Sequence, residues 1–368
     1  MGFRLTAFQF LLSLALASAL FPPVCCGHFL IANGLNVKQL LISLFLICSV
    51  SLTANNIIYV STSGTTSGSG SDWSTATSLV NACNTATAGD EIWVAQGTYL
   101  PGDSRTSSFN IPAGVRVYGG FSGQETTLDQ RQPASYITTL SGNIGDRNDQ
   151  EDNVYTVVTM NNAGGKTVLD GFVLTGGKAT EFIHDFTMAT TGGALYISGG
   201  NNGQGPLIKN CTFTGNMANN GGAVFINGSN GYVKPQFVSC TFNDNKAVLK
   251  GGAIFNDATN GKVEAIFENC SFNHNGATNG GCILNNGDNG ESKPLVINSE
   301  FTGNTAASAG SVIYNLVKNG GTANQTMNNC KLEDNVSHLG GAIGSNSNIQ
   351  QSASSSPNNN GGTLRPVN

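Results

Sequence analysis

"GGAVFINGSNGYVKPQFVSCTFNDNKAVLK" runs from Gly221 to Lys250, and "GGAIFNDATNGKVEAIFENCSFNHNGATN" follows it from Gly251 to Asn279. The two stretches carry one pattern, and the pattern extends both ways. "GGALYI" opens at Gly192, "GGCILN" at Gly280, "GSVIYN" at Gly310 and "GGAIGS" at Gly340, at intervals of 29, 30, 29, 30 and 30 residues. A fixed period in this range marks a repeat architecture, in which one unit cannot bury its own apolar face and needs a neighbour stacked on it.

Numbering each repeat from its first glycine aligns the chemistry. Position 4 is Leu195, Val224, Ile254, Ile283 and Ile313, and position 17 is Ile208, Phe237, Phe267 and Val296. Position 20 is Cys211, Cys240, Cys270 and Ser299, and position 22 is Phe213, Phe242, Phe272 and Phe301. Position 25 is Asn216, Asn245, Asn275 and Asn304. In the fifth repeat Cys330, Leu332 and Asn335 arrive one residue late, which puts a single insertion in that coil. The apolar runs are short, β-branched or aromatic, and punctuated by Gly-Gly and Asn-Gly. They predict an all-β solenoid of parallel strands, with coils about 4.8 Å apart.

In such a solenoid position 4 becomes an aliphatic ladder, position 22 a phenylalanine stack and position 25 an asparagine ladder at a turn. Asparagine there is expected to bond backbone groups of its own and neighbouring coils, and to adopt the left-handed conformation of a sharp bend. The glycine pairs permit a close turn before position 4. The cysteines of position 20 read as small buried thiols, because no C-x-x-C pairing accompanies them.

Upstream, "DEIWVAQGTYL", "SFNIPAGVRVYGGF", "TTLSG", "NVYTVVTM" and "KTVLDGFVLTGG" read as earlier coils. Before them Ala76, Leu79, Val80 and Cys83 fall at i, i+3, i+4 and i+7, one apolar helical face. A short helix here would cap the first rung, whose open edge otherwise invites aggregation. The solenoid is expected over residues 55–349, and the polar stretch 350–368 reads as a disordered low-complexity tail.

Only 11% of the 368 residues are charged, against roughly 25% in an average soluble domain, and glycine numbers 48. The net charge of −5 with no basic cluster excludes nucleic acid as the expected partner. Residues 1–54 read as a targeting segment: Lys38, the apolar "LLISLFLICSV" and the small-residue "SLTA" fit an export signal cleaved after Ala54. Val37 stands where an internal GUG start would be read, so residues 1–36 read as an over-extended frame. Each apolar run there falls short of the roughly 20 residues a span needs, and no membrane span is expected in the mature chain. A monomer is expected.

The paired "GGA[ILV]" and "FxxN" elements resemble the repeat motif of the chlamydial polymorphic membrane proteins. They stand here as Gly192–Leu195 with "FTGN", Gly221–Val224 with "FNDN" and Gly251–Ile254 with "FNHN". The upstream string from "GDEIWVAQGTYLP" to "VLDGFVLTGGKA" is similar to bacterial surface proteins with a right-handed parallel β-helix of the pectin-lyase-like type. The resemblance implies that handedness and that fold. It also implies display on the bacterial outer membrane or secretion, and an adhesin's role towards a glycan or a host or neighbouring cell-surface molecule. No segment after Gly341 reads as the strands of a membrane barrel, so a truncated product is one expectation.

The same fold hosts polysaccharide lyases and hydrolases, and fold alone does not decide. Glycoside hydrolysis needs two carboxylates about 5–10 Å apart. Asp244 and Glu333 share position 24 but lie three coils apart, about 14 Å at the strand spacing. A lyase of this fold would be expected to offer an arginine or lysine base beside calcium-binding carboxylates. No arginine occurs between Arg147 and Arg365. Asp244 and His274 stack at position 24, a carboxylate–imidazole pair with no nucleophile elbow to use it. "GGKT" at Gly164–Thr167 is half a phosphate loop, with Met160 where its first glycine should be. Enzyme chemistry is therefore not the leading expectation, and no cofactor is expected beyond calcium. Asp146, Asp149, Glu151 and Asp152 in "GDRNDQEDN" offer the hard oxygen ligands that calcium prefers. Finally, the loops at positions 6 to 15, such as "NGSNGYVK" and "NNGDNGES", read as a polar, nearly uncharged edge. That edge is either a glycan-binding array or solvated turn.

Overall fold

Stacking in register is what the period demands, and the computed structural model has it. The structure describes residues 55–346 except 147, 182–185 and 200–202. The expected targeting segment and polar tail lie outside the described residues. Five all-parallel sheets wind into a β-solenoid of about nine turns. Within a repeat the chain visits them in order. Sheet I holds positions 4–7 (Val224–Asn227 in the second repeat), sheet II Tyr232–Val233, sheet III Gln236–Val238, sheet IV Thr241–Asn243 and sheet V Lys246–Lys250. Sheet III is the longest, nine strands from Ile57–Thr65 to Thr326–Asn328. The upstream runs take their expected places in these sheets, Glu91–Ala95 and Arg116–Phe121 in sheet III and Thr138–Ser141 in sheet IV.

The ladders form as the numbering predicts. Position 4 pairs as Leu195 with Val224, Ile254, Ile283 and Ile313 in turn, each wholly buried. Position 17 pairs Ile208, Phe237, Phe267 and Val296. The position-22 rings stack at 4.8, 4.7 and 4.6 Å along Phe213, Phe242, Phe272 and Phe301, tilted by no more than 6°. The strand repeat sets that separation, which also suits aromatic stacking.

The position-25 amides leave little unpaired. Asn245 Nδ2 donates to Asn275 Oδ1 at 3.0 Å and to the Phe213 carbonyl one coil back at 2.9 Å. Its Oδ1 accepts from Asn216 N at 3.2 Å and Nδ2 at 3.0 Å. The same set recurs at Asn275 and Asn304, ending at Asn335. One expectation is corrected here. The left-handed backbone belongs to the residue before each asparagine: Gly215, Asp244, His274, Gly303 and Asp334 at φ 52–64°. The asparagine itself turns inward, where its amide can reach two coils.

Each full coil from Gly221 onward carries four such left-handed positions, at 1, 10, 19 and 24, the last two arriving one residue late in the fifth repeat. Position 1 is glycine throughout, and position 10 is Asn230, Asn260, Asn289 and Asn319. At Gly221 φ is +64°, and a Cβ on Gly222 would lie 2.2 Å from the Gly252 carbonyl. In this coil both glycines of the pair are thus required, one for conformation and one for closeness, whereas the fifth repeat keeps the first as Gly310 and carries Ser311 at the second place. The fifth-coil insertion falls at the position-10 turn. Asp288 pairs with Lys318 but Glu291 with Thr322, so Gly320 bulges out with no atom within 4 Å of its Cβ direction.

At the N-terminal end helix α1 (Leu79–Thr85) packs on the first strands of sheets I and III, burying Leu79, Ala82 and Cys83. The cap is shorter than its apolar face suggested. Ser78 Oγ accepts from Asn81 N and starts the helix, while Thr77 bridges to Val60 and Thr65. Ala76 therefore precedes it. Among the described residues no helix is long and apolar enough to cross a membrane.

Two features escaped the period. Position 5 points outward yet is buried at Phe225, Phe255 and Leu284, flanked by Tyr196 and Tyr314. Phe186 from the preceding strap lies over it, 5.7 and 5.5 Å from the two phenylalanine rings. Position 6 changes from Ile197 and Ile226 to buried Asn256, Asn285 and Asn315, whose amides chain at 2.8 Å and end on Gln325 at 2.7 Å.

Replacing Asn275 by alanine takes the amide partner from the Phe242 carbonyl and from Asn245 N, and removes one of the bonds of Asn245 Nδ2 and of Asn304 Oδ1. The expected cost in urea unfolding is about 3 kcal/mol, against about 1 kcal/mol for Asn335→Ala at the last rung, where water can substitute. Equal costs would contradict the cooperative ladder.

Candidate functional site

The sequence leaves two readings of the loop edge, and its hydrogen bonds bear on the choice. Asn227 Oδ1 takes Ser229 N at 3.0 Å, and Asn227 Nδ2 reaches Tyr196 Oη at 2.7 Å. Asn286 Nδ2 binds Asp257 Oδ1 at 2.8 Å, Asn289 binds Asn260 at 2.8 Å and Asn319 binds Asp288 at 2.6 Å. These side chains largely satisfy one another along the stack. The edge is also more charged than the sequence suggested. Positions 12 and 14 form an alternating run, with Lys262 on Glu264 at 2.8 Å and on Glu291 at 3.5 Å, Lys293 on Glu291, and Lys234 near Glu264 at 3.7 Å. Burial works against the Glu264 carboxylate, but hydrogen bonds from Lys262 and Tyr232 bring it below the usual range. Sequence spacing could have found this run, since Lys262, Glu264, Glu291 and Lys293 recur at two fixed positions.

The acidic loop folds on itself. Asp152 Oδ2 accepts from Asp146 N at 2.7 Å, Asp146 Oδ1 from Asn148 N at 2.9 Å, and Asp149 Oδ1 from Glu151 N at 2.8 Å. Glu151 pairs with the buried Lys178. Among the described residues no three of His, Cys, Asp and Glu are placed to share a metal ion. Beside the loop lies a cleft of about 300 Å³ that includes Asn153, Lys178, Gly176 and Gly177.

A larger cleft, about 690 Å³, opens between the strap that follows Phe121 and the turn joining sheets III and IV. Leu128, Pro133 and Ile137 give it apolar surface, while Asn210 and Ser239, one coil apart at position 19, and Thr212 give amide and hydroxyl groups. Arg131 reaches it from an ion pair with Asp170, 2.5 Å long, whose partners are 14% and 6% exposed. Asp170 Oδ1 also accepts from Asn210 Nδ2 at 2.8 Å. Both its oxygens are therefore engaged. No sequence motif signalled this cleft, because its strap interrupts the period.

Asp244 and His274 do occupy position 24 of adjacent coils. Both are left-handed turn residues there, and Asp244 Oδ2 accepts from Asn243 Nδ2 at 2.7 Å. The position-20 thiols are buried, as read, and each donates to backbone carbonyls. Cys211 Sγ reaches Lys209 O at 3.2 Å, and Cys240 reaches Val238 O at 3.5 Å. Ser299 Oγ makes the corresponding bond to Ile297 O at 2.8 Å, which explains its place in the ladder. Within the Cys240–Cys270 pair the hydrogen bond from Cys240 favours the anion at Cys270, and burial opposes it.

A sequence model of the Chlamydia polymorphic membrane protein repeat matches residues 239–257. No curated protein and no solved structure matches the chain. The matched segment contains Cys240, Phe242, Asn245, Gly251, Gly252 and Ile254, which are the turn thiol, the ring stack, the amide ladder, the glycine pair and the aliphatic ladder. What the segment shares with that repeat is scaffold.

Burial pushes the Cys83 and Cys211 thiols up to about 12, from 9.0. The folded chain then holds protons that the unfolded chain has lost. Their contribution to stability should be flat below pH 9 and fall above it towards pH 12, by about 1.4 kcal/mol per pH unit for each such thiol. Cys211→Ser, which copies the natural serine at position 299, should remove one thiol's share of that slope in denaturant melts taken from pH 8 to 10.5. An unchanged slope would mean that the Cys211 thiol ionises normally in the fold.

Proposed function

We propose that this chain is an exported, surface-displayed β-helix that binds carbohydrate without transforming it. The observation that carries the reading is the 690 Å³ cleft, where apolar strap residues face hydroxyl and amide groups, those of Asn210 and Ser239 one coil apart. Sugar rings present both apolar faces and hydroxyl edges, and a pocket with a few convergent polar groups suits such ligands. Among the described residues lining the cleft Asp129 is the one carboxylate, whereas glycoside hydrolysis needs two, which favours binding over cleavage. The matched repeat supports surface display, because its family is of polymorphic membrane proteins. A polysaccharide-cleaving enzyme is the second reading, favoured by Asp129 lining the same cleft.

The test is size-exclusion analysis of a polysaccharide panel with excess purified chain, with and without calcium. Co-elution of one polymer with the protein, at unchanged polymer length, is expected. Shortening of any polymer would replace the binding reading with the enzyme. A strict calcium requirement would return attention to Asp146, Asp149, Glu151 and Asp152. Neither binding nor shortening would leave a passive envelope component.

A further inference from the structure

The smaller cleft stands out when its hydrogen bonds are counted. It sits at the head of the asparagine ladder. Gly177 precedes Lys178, which pairs with Met217, so it stands in register with Asn216 and donates its N–H to Asn216 Oδ1 at 3.1 Å. The space of about 300 Å³ beside it is reached by Asn153 and Lys178. Asn153 is 3% exposed, yet its Oδ1 meets no hydrogen-bond partner among the described residues. A buried acceptor left empty costs about 1–3 kcal/mol, and this one, unlike Asn256 Oδ1 and Gln325 Nε2 in the C-terminal core, belongs to a residue lining an open space, where a donor from outside the chain can reach it. By contrast, Asn210 Nδ2 in the larger cleft and the Nδ2 groups of Asn286 and Asn289 on the stacked loops already have acceptors, and Asn286 Oδ1, also without a partner among the described residues, does not line this space.

Lys178 narrows the chemistry of that donor. Its ammonium is buried, and the counter-ion, Glu151, reaches it from a side chain 72% exposed on the acidic loop. A bare cation would meet the Lys178 charge. A carboxylate would be drawn to Lys178 but brings no hydrogen for Asn153 Oδ1. A hydroxyl group does both things, donating to the amide oxygen and accepting from the ammonium. Met217 and the Lys178 stem add a small apolar wall. The volume lies at the low end of the range for ligand pockets, enough for one small ring rather than a run of them.

We propose that this cleft is a subsite for one neutral, monosaccharide-sized polyol, with Asn153 Oδ1 as hydroxyl acceptor and Lys178 as donor. It deepens the carbohydrate-binding reading and rests on it. The site would take the end of a glycan, while the 690 Å³ cleft would take its length.

Saturation-transfer NMR of the full chain with the methyl glycosides of glucose, galactose, mannose and N-acetylglucosamine, with acetate and glycerol as controls, tests the subsite. At least one glycoside should receive magnetisation from the protein while acetate and glycerol do not. Asn153→Leu should weaken that glycoside at least tenfold while leaving the melting temperature level or higher, because it removes an acceptor with no partner in the fold. Lys178→Met should weaken it too, and Asn153→Asp, which keeps an acceptor, should retain it. A melting temperature lowered by Asn153→Leu, with binding intact, would make Asn153 a structural residue and overturn the subsite. Glycoside binding that Asn153→Leu leaves untouched would overturn it as well, with the broader carbohydrate reading still standing. No transfer to any glycoside would mean that the amide holds ordered water only. Whether polymers still co-elute in the size-exclusion assay then decides the broader reading separately.

Discussion

The turn between sheets IV and V depends on one amide per coil. A parallel strand pair satisfies its own backbone, but a bend between strands leaves carbonyls and N–H groups pointing into the core, where an unmatched one is costly. Asn216, Asn245, Asn275 and Asn304 each supply the missing partners by spanning two coils. Because every amide both donates and accepts along the axis, the turn can exist only where coils stack in register. The thiol hydrogen bonds at position 20 and the ring stack at position 22 both precede this turn in the coil and share its strand-set spacing.

The polar interior of the last coils follows the same logic with different residues. Asn256, Asn285 and Asn315 replace isoleucines, and Gln325 receives the end of the chain of amides. Asn256 Oδ1 and Gln325 Nε2 are left without partners among the described residues. The core is thus apolar in the middle coils and hydrogen-bonded towards the C-terminal end. Dispersion holds one part and directional bonds the other.

Much of the fold was legible because a repeat tests each inference several times over. Position 4, position 22 and position 25 each appear four times or more, so a chance match is hard to sustain. Local conformation was less legible: the left-handed residue turned out to be Asp244 or His274 rather than the neighbouring asparagine, since the amide must face inward to bridge coils. The clefts were not legible at all. They arise where straps interrupt the period, and the groups that line them, such as Arg131 with Asn210 or Asn153 with Lys178, are brought together only by coil stacking. The stacked loops show the reverse case, conspicuous in sequence but largely satisfied internally in structure.

Gly320 shows how such a scaffold can change length. The coil that carries it holds its pairing on both sides of the extra residue, with Lys318 and Thr322 each opposite a proper partner. The position-10 corner therefore works as an expansion joint: residues added there are carried outward, and the frame on either side does not feel them. Peptide segments could be spliced into this corner of successive coils without re-indexing the ladders. The solenoid would then act as a ruler that displays foreign loops at a fixed pitch.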